Sequence, residues 1–499
     1  MKIKIFKHLL KFDHWFLVTI STGLFLRIYK PLGLFQYSHD QDLAGWFIRD
    51  VLINHHLRLI GQETSSHGIF IGPFFYYLQI PFYMLSGLDP SGAIYLPIIL
   101  GVFAIWSVYF TFSKMFTKRV ALIGAIFHAC SILIVFTERE IVPTQPVMLW
   151  TIWFLYSIWL VLKGKKNAYI LIAFLIGLIW NINLQLVILL PLVFLAQILS
   201  RKTIPYKKII IAVLIALILN FPFLAFEFRH EFGMTKSLVS SLTTSKDYIA
   251  GTRTGFIPKL DRTMQLAYKN STDLFGANLL NLDNKLIFWS LFLLLLYVIC
   301  KRKIQPQFGI LLIIWLITYI LFFTKISLNI SEYYLNGMNI VYILIASLSL
   351  SLLLKNKKIR VPAYFLIILF ISVNLYLFFA RKVNENGYLE RKAVISYIKE
   401  DANKNNYPCV SLSFITSPGN NLGYRYFTWE LGLKTKPVSK DVPVYSIVFP
   451  LSLVDRFDKS FGALGVVNPD YKRYNQVSVK KACQGEDFTI NEPMFGFTN

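Results

Sequence analysis

The chain has 499 residues, of which 55% are hydrophobic and 16% aromatic but only 16% charged; 51 Lys and Arg against 27 Asp and Glu leave a formal charge of +24. So apolar a balance at this length excludes an ordinary soluble protein, in which about 25% of residues are charged, and indicates an all-α polytopic membrane protein. The positive surplus alone would admit nucleic acid as a partner, but it sits in short loops between apolar runs, so no nucleic acid is expected.

Eleven apolar runs approach the ~20 residues that a helix needs to cross a ~30 Å hydrocarbon core. They lie at 14–30, 93–113, 120–136, 143–162, 168–182, 184–200, 208–226, 285–300, 307–324, 336–354 and 361–380. Between alternate runs stand six basic clusters: Lys2/Lys4/Lys7/Lys11, Lys114/Lys118/Arg119, Lys163/Lys165/Lys166, Arg201/Lys202/Lys207/Lys208, Lys301/Arg302/Lys303 and Lys355/Lys357/Lys358/Arg360. They hold 21 basic residues with only Asp13 as a nearby acid. The positive-inside bias therefore puts the N-terminus in the cytoplasm and, after eleven crossings, the C-terminus outside. The first run has a basic start but no small-residue cleavage site, so it is expected to remain as a span.

The first outside loop, 31–92, is too long for a plain connection and is expected to hold two juxtamembrane helices. From Asp42 onward, Leu43, Phe47 and Val51, with Ala44, Ile48 and Leu52 beside them, form an apolar stripe, while Asp42 and Arg49 fall on the other face. The stretch 68–88 carries Gly72, Pro73 and Pro81 and suits the interface, with Tyr76, Tyr77 and Tyr83 at headgroup level. A second outside loop, 227–284, contains the polar run SLVSSLTTSKDY and is expected to act as a lid or channel wall. Residues 1–380 are thus read as a membrane-embedded domain and 381–499 as a small α/β domain outside. A helix is expected over Leu389 to Glu400 and a strand over 407–415. Cys409 and Cys483 share that oxidising side, where a disulfide is open to them.

Polar chemistry gathers on the outer face in three places: Asp40 and Asp42, then Glu138, Arg139 and Glu140 in TEREIVP, then KISLNISEYY over 325–334. The stretch from HDQD through GPFFYYLQIPFYMLSGLDP resembles the first-loop pattern of the protein mannosyltransferase-like enzymes that use dolichyl-phosphate-mannose, in the glycosyltransferase C superfamily. TEREIVPTQP is similar to that group's Arg-x-x-x-Pro element, and SEYYLNGMNIVY to its Tyr-rich entry to a late span. The resemblance implies transfer of a sugar from a polyprenyl phosphate to an acceptor hydroxyl on a glycan, lipid or protein. The reaction would run at the extracytoplasmic face of the cell membrane, with inversion.

In that scheme Asp40 matches the family's first-loop acid and would be the general base, with Asp42, Glu138 or Glu140 as a neighbouring acid that raises its basicity. Arg139 would meet the charge on the leaving phosphate, followed by Arg229 with His230, and by Lys325; Tyr76 and Tyr333 would line the substrate path. Related aminoarabinose transferases carry a Lys before a Pro-Pro-Leu run, whereas Ile71 precedes Gly72-Pro73 here, which turns attention to His67 for phosphate. No motif names a cofactor, and a divalent metal stays open, since His39, Asp40, His67 and Glu140 are types that bind one. Each role has a plainer rival. Asp40 or Asp42 could cap the helix that follows, residues 138–140 could form a solvated turn, and Tyr333 and Tyr334 could anchor at the interface. A transporter or flippase of lipid-linked saccharides is the alternative function, opposed by the scarcity of charge inside the spans.

Overall fold

The computed structural model describes residues 14–64, 67–203, 206–243, 255–326, 330 and 332–488. The first basic cluster and the polar stretch 244–254 lie outside them. The chain forms two compact units. A helical unit takes Met1–Tyr29, Pro97–Arg139 and Pro143–Arg381; a mixed unit takes Lys30–Leu96, Glu140–Val142 and Lys382–Asn499.

In the helical unit all eleven apolar runs are helical. Among the described residues four helices are long and apolar enough to cross a membrane: Pro90–Met115, Pro306–Lys325, Tyr333–Leu353 and Arg360–Ala380. A fifth crossing results if Tyr206–Leu219 and Phe221–Arg229, bent by 59°, count as one. Five shorter apolar helices accompany them. Burial ranks their positions: 94% of the apolar window of Tyr333–Leu353 is buried, against 33% for Arg360–Ala380. The first is therefore the central helix and the second peripheral, with Val361, Phe365, Ile368 and Tyr376 exposed. Apolar side chains left open in such numbers are what a lipid-facing surface requires. In lipid the association of these helices rests on close packing and interhelical hydrogen bonds rather than on water exclusion. Accordingly, Trp150 donates to the Leu175 carbonyl at 2.8 Å and Trp315 to the Gly337 carbonyl at 3.0 Å. The rings of Trp150 and Phe154 stack at 4.6 Å.

The second loop, expected as a lid or channel wall, is largely helical among the described residues. Residues Phe256–Phe275 form a 20-residue helix that buries Thr263, Ala267, Tyr268, Ser271 and Leu274 in the helical unit. Its Arg262, which the sequence did not mark, donates to the carbonyls of Phe323 and Ile326 at 2.9 and 2.8 Å. Those are orphan acceptors at the end of Pro306–Lys325, which a basic side chain is suited to satisfy.

The mixed unit holds both first-loop helices, His39–Ile53 and Phe74–Leu85, and a small sheet. Strands β1 (Ser411–Thr416), β2 (Val444–Phe449), β3 (Lys459–Phe461) and β4 (Leu464–Val467) lie in the order β1-β2-β4-β3. β1 and β2 are parallel, and the other two pairings are antiparallel. The helix Tyr388–Lys404 contributes Val394, Ile395 and Ile398 to the core, and a disulfide joins Cys409 to Cys483.

One expectation needs correction. Asp42 does not lie on a solvated face of His39–Ile53, because residues Gln41 to Ile48 are buried without interruption. The cause is the segment after residue 423. Tyr426 lies so close that a Cβ on Gly45 would stand 2.6 Å from its ring, and the rings of Trp46 and Tyr426 meet edge to face at 6.2 Å.

Candidate functional site

The helix His39–Ile53 begins at Ser38, whose N–H and hydroxyl both donate to the Gln41 side chain, at 2.8 and 2.9 Å. Gln41 thus does the capping that Asp40 or Asp42 was expected to do, as the third residue of a capping box can. Both acids are released for other work. Their surroundings then separate them.

Asp40 is half-buried, and its Oδ1 accepts from Gln62 Nε2 at 3.0 Å. Gln62 is held by a short hairpin in which Ile71 N–H donates to its carbonyl at 3.1 Å, while its own N–H donates to the Tyr76 hydroxyl at 3.4 Å. Among the described residues the other oxygen, Oδ2, has no hydrogen-bond partner. Asp42 is 1% exposed. Its Oδ1 accepts the Tyr426 N–H at 2.9 Å and the Tyr37 hydroxyl at 3.3 Å. Burial pushes its pKa up; these bonds and the charges of Arg391 and Arg425 pull it back, to about 6. So Asp42 does cap a helix, but the distant Arg425–Glu430 rather than its own.

A second charged group in the mixed unit carries no sequence signature. The Lys392 ammonium bonds to Asp89 Oδ2, and to Glu430 Oε1 at 2.7 Å; the Tyr388 hydroxyl donates to Asp89 Oδ1 at 2.6 Å. Burial raises the Asp89 pKa, yet the bonds from Lys392, Tyr388 and Ser91 outweigh it and bring it to about 2. At Glu430 burial wins over Lys392, and the pKa stands at about 7.

The remaining expected residues are dispersed. In the mixed unit, His67 is exposed, with Nδ1 at 2.9 Å from Glu63; Tyr76 is 1% exposed beneath Gln62; Glu140 is exposed. In the helical unit, Glu138 is buried, with Oε2 bonded by the Arg27 guanidinium and Oε1 at 2.8 Å from His128 Nε2. Arg27 and His128 lie inside apolar runs, and the Arg27 charge is paired there with Glu138, as a low dielectric demands. Arg139 donates to the carbonyls of Leu26 and Tyr29 at 2.8 and 2.9 Å and so closes the end of His14–Ile28. Arg229, Lys325 and Tyr333 are exposed, and Tyr333 packs on Tyr334 at 4.4 Å. Among the described residues no three of His, Cys, Asp and Glu gather as a metal would require, so His39, Asp40, His67 and Glu140 do not assemble into a metal site.

A family model described as dolichyl-phosphate-mannose-protein mannosyltransferase matches residues 70–226, less than half of the chain and beyond Asp40. No curated protein sequence matches. Among solved structures, ArnT from Cupriavidus metallidurans bound to undecaprenyl phosphate superposes with a TM-score of 0.62 at 11% identity, over 93% of this chain and 99% of that one. Its apo form gives 0.59 at the same coverage. The apo oligosaccharyltransferase of Archaeoglobus fulgidus gives 0.49 at 13% identity, over 87% of this chain and 69% of that one.

Proposed function

We propose that this multi-pass membrane protein, folded like a protein solved with undecaprenyl phosphate bound, transfers a sugar from a polyprenyl phosphate to an acceptor hydroxyl outside the cytoplasm. Its eleven apolar helices would all cross, with the N-terminus inside and the mixed unit outside. One observation carries the assignment of the base: Asp40 presents a half-buried carboxylate that Gln62 holds by one oxygen, leaving Oδ2 unpartnered among the described residues. A general base must be both fixed and reachable. Asp42, at 1% exposure, is not reachable and serves as a positioning residue for the helix start.

In the reaction the acceptor oxygen forms a bond to the anomeric carbon as the bond from that carbon to the phosphate oxygen breaks, with inversion. The hydroxyl proton passes to Asp40, and the electron pair of the broken bond leaves with the polyprenyl phosphate. Tyr76 steadies Asp40 through Gln62. Of the residues expected to meet the leaving phosphate, His67, Arg229 and Lys325 are exposed, whereas the guanidinium of Arg139 bonds to carbonyls. Glu138 holds Arg27 and His128, and Glu140 and Tyr333 retain a place at the substrate path.

The buried Arg27, His128 and Glu138 favour a second reading, a flippase, because transporters use charge within the membrane. Purified protein given polyprenyl-phosphate sugars and acceptors separates the two. A transferase releases polyprenyl phosphate, and Asp40→Asn slows that release about 10²- to 10⁴-fold at unchanged melting temperature. Transport without release, or a fully active variant, removes the assignment.

A further inference from the structure

At the end of the helical unit where the basic loops gather, a half-open cavity of about 300 Å³ is lined by Lys163, Arg302 and Lys303 together with Met115, Phe116, Trp159, Ile304, Gln305, Pro306 and Phe308. That volume is at the low end for ligand pockets, ~300–1,000 Å³. No lining residue is an acid, and among the described residues none of the three cations has a carboxylate partner. Lys163 Nζ lies over the Trp159 ring at 5.6 Å. The three exposed cations share one cavity wall without a carboxylate among the lining residues, and an anion placed among like charges relieves their repulsion.

Two further features share the cavity. The first turn of Pro306–Lys325 lines it, and the N-cap of that helix, Gln305, makes no side-chain capping bond. The free N–H groups and the positive end of the helix dipole therefore add to the cationic field. Gln305 Oε1 is buried with no hydrogen-bond partner, so an acceptor awaits a hydroxyl donor. Met115, Phe116 and Phe308 supply an apolar wall where an acyl chain would start, and the Trp159 indole suits the headgroup level.

We infer that this cavity binds the headgroup of an anionic phospholipid of the phosphatidylglycerol type. The phosphodiester lies among Lys163, Arg302 and Lys303, and a glycerol hydroxyl donates to Gln305. The positive-inside orientation makes this the cytoplasmic leaflet, where basic pockets between helices meet anionic lipids. The inference does not depend on the transferase reading, since its test measures binding and not turnover.

The delipidated full-length protein in neutral detergent is titrated with dioctanoyl-phosphatidylglycerol, dioctanoyl-phosphatidylcholine and inorganic phosphate, and bound species are counted by native mass spectrometry. One phosphatidylglycerol is expected to bind at least tenfold tighter than either alternative. An Arg302→Gln/Lys303→Gln variant is expected to lose that preference about tenfold, with Lys163→Gln as a milder second variant should the first fold poorly. A Lys165→Gln/Lys166→Gln variant, which removes two exposed charges of the same loop outside the cavity, is expected to keep it. Equal loss in that control means diffuse surface charge and overturns the site. Equal affinity for inorganic phosphate, or no preference over phosphatidylcholine, overturns the lipid assignment.

Discussion

Replacing Asp42 by Asn makes the stability of the mixed unit respond to pH in a way that only a buried, ionising carboxylate explains. Asp42 is 1% exposed, and burial lifts its pKa to about 6 from the ordinary carboxylate value of 3.8. The folded state therefore holds the proton more tightly than the unfolded chain. The associated stability is complete below about pH 4, declines as the pH rises toward 6 and is absent above it. A difference of about two pH units corresponds to ~3 kcal/mol. Asn keeps an oxygen for the Tyr426 N–H and carries no charge to desolvate, so the variant lacks this decline. Scanning fluorimetry of wild type and Asp42→Asn in one detergent at pH 4.5 and pH 7.5 reads the effect, with Trp46 and Trp429 packed in the same cluster. The variant should gain on wild type by several degrees at pH 7.5 and lose most of that gain at pH 4.5. A difference independent of pH would refute the account.

Other outcomes follow from separate contacts. Arg27→Met strands the buried Glu138 and should destabilise the helical unit by about 3–5 kcal/mol; adding Glu138→Met should recover most of this, as read by thermal unfolding of the double variant. The Cys409–Cys483 bridge spans 74 residues, and closing a loop of that length stabilises by ~4 kcal/mol in the chain-entropy view. Dithiothreitol should therefore lower the melting temperature of wild type but not of a Cys409→Ser/Cys483→Ser variant. Lys392→Met leaves Asp89 and Glu430 side by side without their shared cation. It should destabilise the mixed unit more as the pH rises, because Lys392 pulls the Glu430 pKa down and its loss makes ionising Glu430 costlier, and a melting profile that does not steepen with pH would count against the cluster.

What could be read in the sequence is what depends on neighbouring residues. The apolar runs became helices because composition and length alone decide that. The helix Tyr388–Lys404 and strand Ser411–Thr416 fall close to their periodic patterns. The capping box has a local pattern, Ser38-x-x-Gln41, set beside two acids that are themselves common caps. The difference between Asp40 and Asp42 was not open to view. It is set by Tyr426, 384 residues away, and by Gln62 in a hairpin whose register no local pattern specifies. The Arg27–Glu138 pair, 111 residues apart, was hidden likewise. Arg27 could only be noticed as a cation inside an apolar run, and such a cation needs a partner.

The bond from Asp42 to the Tyr426 N–H also sets a timetable. At about 5–20 residues per second, a ribosome needs ~20–80 s after making Asp42 before residue 426 exists. For that interval the first loop has emerged with its acidic helix uncovered on the side that Tyr426 will occupy, and Asp42 is hydrated and ionised. The helix His39–Ile53 is therefore finished last although it is made early, because its buried face is completed only by a segment made 384 residues later.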